Sequence, residues 1–382
     1  MKVALLLNTN ALGGAERSII EQLGLVQEKI SLSIFIPKLS KSSDKVLALV
    51  GKKLNTSASY YRMPKAFYSL SQQGKFLRIA VAAVSLLSAP LYFKDMAPLK
   101  DSEVLYCNGN KIAIWTLIWA FMAGYKGKII WHFRDYPSQK MAFKDFMNFM
   151  SKKFGSRLCI AANSKSVSDS LKEIGVEHVD VIYNIVGEMP EQTFSANIET
   201  IGVVSMMASW KGIHQVLLMA HLYEKELKEL GIKNIDIFSS EIYQTAGDHL
   251  TYSNELQELM AKFPSSLLNI KYNQTPDQIF KQIDLLIHPS LQKEPFGRVI
   301  LEAFRSNVPV ISTAMGGANE LIEQGMNGLT FFKYDYAGLF LQIKNLVMNP
   351  ELRKNIADNA YKKSFEIESN VKAGMEHLLG VA

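Results

Sequence analysis

The chain holds 382 residues, 48% of them apolar and 20% charged, a globular composition with length enough for two domains that each bury a core. Its 2 cysteines, Cys107 and Cys159, exclude a disulfide framework and match no zinc spacing, and free thiols fit a reducing, cytoplasmic compartment. The net charge of +6 divides into +11 over residues 1–190 and −5 over the remainder, so the two halves are expected to meet different partners.

Residues 3–7 are apolar and follow Lys2, but the run is shorter than the about 7 to 15 residues of a signal-peptide core, so it reads as a first strand. Leu12-Gly13-Gly14-Ala15-Glu16-Arg17 comes next and opens a helix. Its spacing is not the Gly-x-Gly-x-x-Gly of a dinucleotide site, which disfavours hydride transfer. Further strands are expected at 31–36, 104–107, 128–132, 158–161 and 179–182, with helical spacing between them, as at 164–174. The strand at 128–132 runs out into Trp131-His132-Phe133-Arg134-Asp135.

Two apolar stretches, 79–93 and 112–125, fall short of the roughly 18 to 20 residues that span a bilayer. Trp115 and Trp119 lie one helical turn apart in the second, which predicts a buried core helix. Lys75, Arg78 and Lys94 flank the first, and Lys65, Phe67 and Tyr68 precede it, so a core helix and a helix dipping into lipid headgroups both fit. Neither stretch is expected to span. For the basic half an anionic membrane surface is favoured over nucleic acid, because no RNP-type aromatic cluster or zinc-finger spacing is present.

Residues 184–200, with Asn184, Pro190 and small polar residues, form a linker. Beyond it strands are expected at 201–205, 235–239, 268–270, 285–288 and 309–312. Alternation of strands and helices in both halves predicts two doubly wound α/β domains facing across a cleft, with ligands at the carboxyl ends of the strands. The boundaries are 1–185, joined by a C-terminal helix of about 363–382 that packs back on it, and 190–362.

The densest cluster of chemical signals lies in the second half. His288-Pro289-Ser290 ends a strand, Glu294-Pro295-Phe296-Gly297-Arg298 follows, and Glu302 comes after it, with seven residues between Glu294 and Glu302. The prolines enforce an irregular loop, and apolar spacing starts a helix near Phe296 or Gly297. Glu294 then precedes a helix N-terminus and Glu302 lies inside the helix, where carboxylates can accept hydrogen bonds from sugar or ribose hydroxyls. The strand at 309–312 leads to Gly316-Gly317 and an expected helix holding Asn319 and Glu320. Glycines at a strand-to-helix junction let the backbone approach an anion. Trp210-Lys211-Gly212 follows the strand at 201–205, and Lys211 there is a mobile cation for a diphosphate.

Together these residues resemble the retaining glycosyltransferases of family 4, with the GT-B fold, as used in bacterial cell-surface polysaccharide or glycolipid synthesis. The resemblance covers nearly all of the C-terminal half and is looser in the N-terminal half. It implies that Glu294 contacts the donor sugar, Glu302 the ribose and Lys211 the diphosphate, while backbone near Phe296, Gly297, Gly316 and Gly317 holds the donor. It also implies that Gly13 and Gly14 face the transferred sugar and phosphate, that His132 lies by the donor sugar and acceptor, and that Asp135 lies on the acceptor side. The donor is a nucleotide-diphosphate sugar and the acceptor a glycan or a lipid-linked molecule. Chemistry needs no bound metal or cofactor, and the sequence holds no Asp-x-Asp pair. A cytoplasmic protein, peripheral on the inner face of the membrane, is the implied location. The sequence departs from the pattern in one place: where many members carry a base about five positions before the lysine, it reads Ser205-Met206-Met207-Ala208-Ser209. Arg298 is the expected substitute. Two other functions fit the same residues, a nucleotide-sugar or glycan-binding protein without turnover and a sugar-nucleotide 2-epimerase.

Overall fold

A computed structural model describes residues 1–9, 12–38, 44–54, 56, 58–63, 91–191, 197–240 and 248–382. The chain divides into an N-terminal unit, Met1–Ile185 with Asn370–Ala382, and a C-terminal unit, Val186–Ser369. Each unit is built on one all-parallel sheet, and the expectation of two doubly wound α/β domains is met.

In the N-terminal unit the strands are β1 (Lys2–Leu7), β2 (Ser31–Pro37), β3 (Ala58–Tyr61), β4 (Val104–Asn108), β5 (Lys128–Phe133), β6 (Leu158–Ala162) and β7 (Asp180–Val181). Their order is β3-β2-β1-β4-β5-β6-β7, with Leu5 opposite Ile34 on one side and Tyr106 on the other. The order reverses between β1 and β4, which makes the ends of those two strands the switch point where doubly wound folds place ligands. Val3 to Leu7 are all buried, as a parallel strand covered on both faces requires.

The Asn110–Met122 helix buries Trp115 and Trp119, so the expected core helix is found. Each such large apolar side chain contributes about 2 to 3 kcal/mol by leaving water. Only 91–93 of the other apolar stretch, 79–93, falls within the described residues. Its basic and aromatic neighbours Lys65, Phe67, Tyr68, Lys75 and Arg78 also lie outside them. No described helix is long and apolar enough to cross a membrane.

The C-terminal unit holds β8 (Thr200–Val204), β9 (Asn234–Ser239), β10 (Leu268–Tyr272), β11 (Leu285–His288), β12 (Val310–Ser312) and β13 (Leu329–Thr330), in the order β10-β9-β8-β11-β12-β13. Ile201 pairs with Leu285, so β8 and β11 flank this sheet's own reversal point. The edge strands β3 and β13 were not anticipated: four and two residues carry too little periodicity to register as strands. The last helix runs Pro350–Leu379, starting about thirteen residues before the expected one at 363, with Pro350 in the first turn where its missing N–H costs nothing. Its end belongs to the N-terminal unit, where Lys128 Nζ donates to Leu378 O at 2.6 Å and Lys29 pairs with Glu376 at 3.0 Å.

Candidate active site

Because β8 and β11 are neighbours, the loops leaving their carboxyl ends run side by side. Leu291 N donates to Trp210 O at 2.7 Å, and Gln215 Nε2 donates to Pro289 O at 2.7 Å, which ties the Lys211 loop to the His288-Pro289-Ser290 loop. Gly212 makes this approach possible. It sits at φ 69°, and a Cβ there would lie 2.1 Å from Pro289 O.

Glu294 stands where these loops meet a third. Its N–H donates to Met315 O at 3.0 Å and its carbonyl accepts from Gly317 N at 2.7 Å, a short parallel bridge to the double-glycine loop. Its carboxylate takes the Lys211 ammonium at 2.6 Å and the Ser290 hydroxyl, both on Oε1. His288 Nε2 comes within 3.4 Å of the same oxygen without hydrogen-bond geometry, while Nδ1 meets Ser312 Oγ at 3.0 Å. Burial raises the Glu294 carboxyl, but the His288 imidazole and then the Lys211 ammonium more than offset this and hold it well below the usual carboxylate range. The pair is therefore an ionised carboxylate and an ammonium, largely out of water. Lys211 also lies over the Trp210 ring at 4.2 Å, which limits where its flexible stem can go.

Phe296 is buried, and Gly297 at φ 91° delays the following helix to Arg298–Arg305. Ile300 N donates to Gly297 O at 2.9 Å in the first turn, and the N-terminal end of such a helix carries positive potential toward an anion. Arg298 Nε donates to Glu302 Oε1 at 3.0 Å, one turn on, so the expected substitute cation is held on the helix carboxylate. The expected helix after Gly316-Gly317 is a 3-10 turn, Gly317–Glu320, too short to carry a helix dipole. Gly317 serves close packing instead: a Cβ there would lie 2.3 Å from Pro295 O.

The N-terminal candidates are placed differently. Gly13 is the N-cap of the Gly14–Gly24 helix, and the buried Glu16 carboxylate folds back onto its backbone N–H. The loop amide is thus already met by an internal acid, whose pKa burial raises above the ordinary value. His132 is fully buried inside β5, its Nδ1 2.6 Å from the Tyr106 hydroxyl. Burial, then the Arg134 charge, lowers its pKa well below the ordinary value and keeps it neutral. The sequence resemblance put His132 by the donor sugar and the acceptor; in this structure its side chain is fully buried. Asp135 is exposed, with Oδ1 accepting from Tyr136 N at 2.8 Å.

Sequence reasoning missed two residues that organise these sites. Gln215 was one, although its position four residues after Lys211, in the first turn of the Ile213–Leu222 helix, faces it back to the loop. Arg134 was the other: its guanidinium donates to Asn108 Oδ1 at 2.7 Å, Asn184 Oδ1 at 2.7 Å and Gln22 Oε1 at 2.8 Å. Among the described residues no three His, Cys, Asp or Glu side chains gather as a metal site.

Residues 187–363 match the model of the family described as glycosyl transferases group 1. An uncharacterized glycosyltransferase of Methanocaldococcus jannaschii is 30% identical over 145 residues, 37% of this chain and 40% of that protein. The capsular polysaccharide biosynthesis glycosyltransferase CapM of Staphylococcus aureus is 25% identical over 163 residues, 43% of this chain and 40% of its own. The matched stretches thus span about two fifths of these relatives. The fold is that of HepE of Anabaena, solved in complex with UDP and glucose, at TM-score 0.74, 20% identity and 99% of each chain.

Proposed function

We propose that this chain, whose residues 187–363 belong to the glycosyl transferases group 1, moves a sugar from a nucleotide diphosphate to a glycan or lipid-linked acceptor. The observation that carries this reading is the buried Lys211–Glu294 pair, 2.6 Å apart at the reversal point of the C-terminal sheet. Donor binding exchanges that internal pair for external ones. The ionised Glu294 accepts hydrogen bonds from the sugar hydroxyls, and Lys211 turns to the diphosphate, beside the positive N-terminal end of the Arg298–Arg305 helix. A cation placed on the leaving phosphate in a site poor in water is worth about 3 to 4 kcal/mol at the transition state. Glu302 takes the ribose, and release of Arg298 from it adds a second positive group near the phosphates.

Retention of configuration, with the departing phosphate taking the acceptor proton, and independence from metal belong to the same proposal. HepE, solved with UDP and glucose, supports a nucleotide-sugar donor. The net +11 of residues 1–190 supports a cytoplasmic protein resting on an anionic membrane, where lipid-linked acceptors are met. His132 acts from beneath, as part of the packing around Arg134, and Asp135 stays the acceptor-side candidate.

The test is nucleotide release from a panel of UDP-, GDP- and ADP-sugars, with and without EDTA. Release from one donor class, unchanged by EDTA, is expected. Release abolished by EDTA and restored by manganese overturns the metal-free part. A second reading, binding without turnover, is favoured by the missing base near Met206 and by the Arg298–Glu302 pair. It predicts a donor that raises the melting temperature yet releases no nucleotide.

A further inference from the structure

Beside the Gly316-Gly317 loop, at the carboxyl ends of β12 and β13, the C-terminal unit holds a cavity of about 370 Å³. None of the roles assigned above uses it. Its wall includes Thr313, Asn319, Phe331, Phe332, Asp335 and Gln342. Asp335 Oδ1 caps the Tyr336–Met348 helix by accepting from Gly338 N at 2.8 Å, and its other oxygen makes no hydrogen bond among the described residues. The side-chain amides of Asn319 and Gln342 make none there either. Phe332 is 83% exposed, an aromatic face left in water at the rim.

The backbone around the cavity is held in a costly conformation. Ala314, in the wall, and Tyr334, next to Asp335, are two of the four non-glycine residues at positive φ among the described residues, at 47° and 66°. Each is kept there by a hydrogen bond from its own N–H, Ala314 to Ser312 Oγ at 2.9 Å and Tyr334 to Gln215 Oε1. Residues kept in sparsely populated conformations by their neighbours cluster where geometry serves a ligand. Thr313 links the wall to the site: its hydroxyl donates to Ser290 O at 2.6 Å, and the Ser290 hydroxyl donates to Glu294.

The chemistry of the wall selects a ligand class. Two amides and a carboxylate oxygen offer both donors and acceptors to a ring of hydroxyls. The carboxylate, with no basic side chain in the wall, repels phosphate and uronic acid. An exposed aromatic face packs against the weakly positive C–H face of a pyranose. The volume lies within the roughly 300 to 1,000 Å³ of small-molecule sites, which suits a single sugar ring with room for part of a second.

We propose that this cavity is a saccharide subsite that takes a neutral pyranose of a glycan acceptor. Its role as an acceptor subsite rests on the glycosyltransferase reading; its capacity to bind a neutral saccharide does not. The experiment is saturation-transfer NMR on the full chain with maltotriose, cellotriose and chitotriose, using trigalacturonate as the anionic control. At least one neutral trisaccharide is expected to bind, and Phe332→Ala or Gln342→Ala to weaken it at least about fivefold. UDP and GDP affinity, read by calorimetry on the same variants, stays at the parent value and shows that they are folded. Failure of every neutral trisaccharide to bind overturns the proposal. So does parent-like binding by both variants, or trigalacturonate binding as tightly as the neutral sugars. If no nucleotide binds but a neutral trisaccharide does, and Phe332→Ala weakens it, the subsite stands and the transferase reading alone is lost.

Discussion

The two units carry sheets of the same kind, yet hold charge at their strand ends in different ways. In the C-terminal unit Lys211 and Glu294 meet as opposite charges, supplied by adjacent loops that glycines allow to touch. Such a pair can be exchanged, because each partner can take a ligand group of the same chemistry in place of the other. In the N-terminal unit three neutral amide oxygens accept from Arg134, which fixes the guanidinium in place. Glu16 is the nearby acid, and burial disfavours its ionisation. One unit therefore holds an exchangeable ion pair, and the other a guanidinium anchored on amide oxygens.

The largest difference is expected from one methyl group added on each side. Gly317→Ala drives a Cβ into the Pro295 carbonyl, backbone against backbone, and is expected to cost about 3 kcal/mol in denaturant unfolding. Gly13→Ala meets only the far end of the Glu16 side chain, at 2.9 Å, and is expected to cost under about 1 kcal/mol. Equal costs erase the distinction between a loop packed against backbone and one packed against a flexible side chain. Next in size is Lys211→Met, which removes the exchangeable cation and keeps the stem over Trp210. Turnover is expected to fall at least about a hundredfold with nucleotide affinity falling less. A loss confined to KM makes Lys211 a ground-state contact only.

The smallest effect is one of pH, in the other unit. His132 has a folded pKa well below its ordinary value, so protons bind the unfolded chain first and stability is fully present only above that value. As pH falls below about 6.5, stability is lost by up to about 1.4 kcal/mol per pH unit from this one group. His132→Gln is expected to flatten the fall of melting temperature between pH 7 and 5. An unchanged slope means that the imidazole titrates normally and is not sealed as described.

These contrasts also explain what the sequence could show. Lys211, Glu294 and the double glycine were visible because each falls in a loop just after a strand, and the strand order then brings the loops together. Glu302 and Arg298 were visible too, and their four-residue spacing already implied a pair on one helix face rather than a cation aimed at phosphate. The burial of His132 was not visible because β5 is buried on both faces, so alternation along the strand says nothing about which side chains reach a surface. Gln215 and Arg134 act through side-chain hydrogen bonds to residues remote in sequence, which no local pattern records. After Gly316-Gly317, where Gly317 N donates to Glu294 O, the chain closes into a 3-10 turn in place of the expected helix.

The central claim is that an ionised Glu294 holds the donor sugar, and Glu294→Gln tests it most directly. The substitution keeps the shape and the bridge to Gly316 but replaces the carboxylate with a weaker acceptor that can no longer pair with Lys211. Single-turnover transfer from the donor found in the nucleotide panel is measured beside the melting temperature of the same protein. The account predicts transfer slowed by at least about a hundredfold, with a melting temperature that stays within a few degrees of the parent. A Glu294→Gln protein that transfers sugar at the parent rate contradicts it.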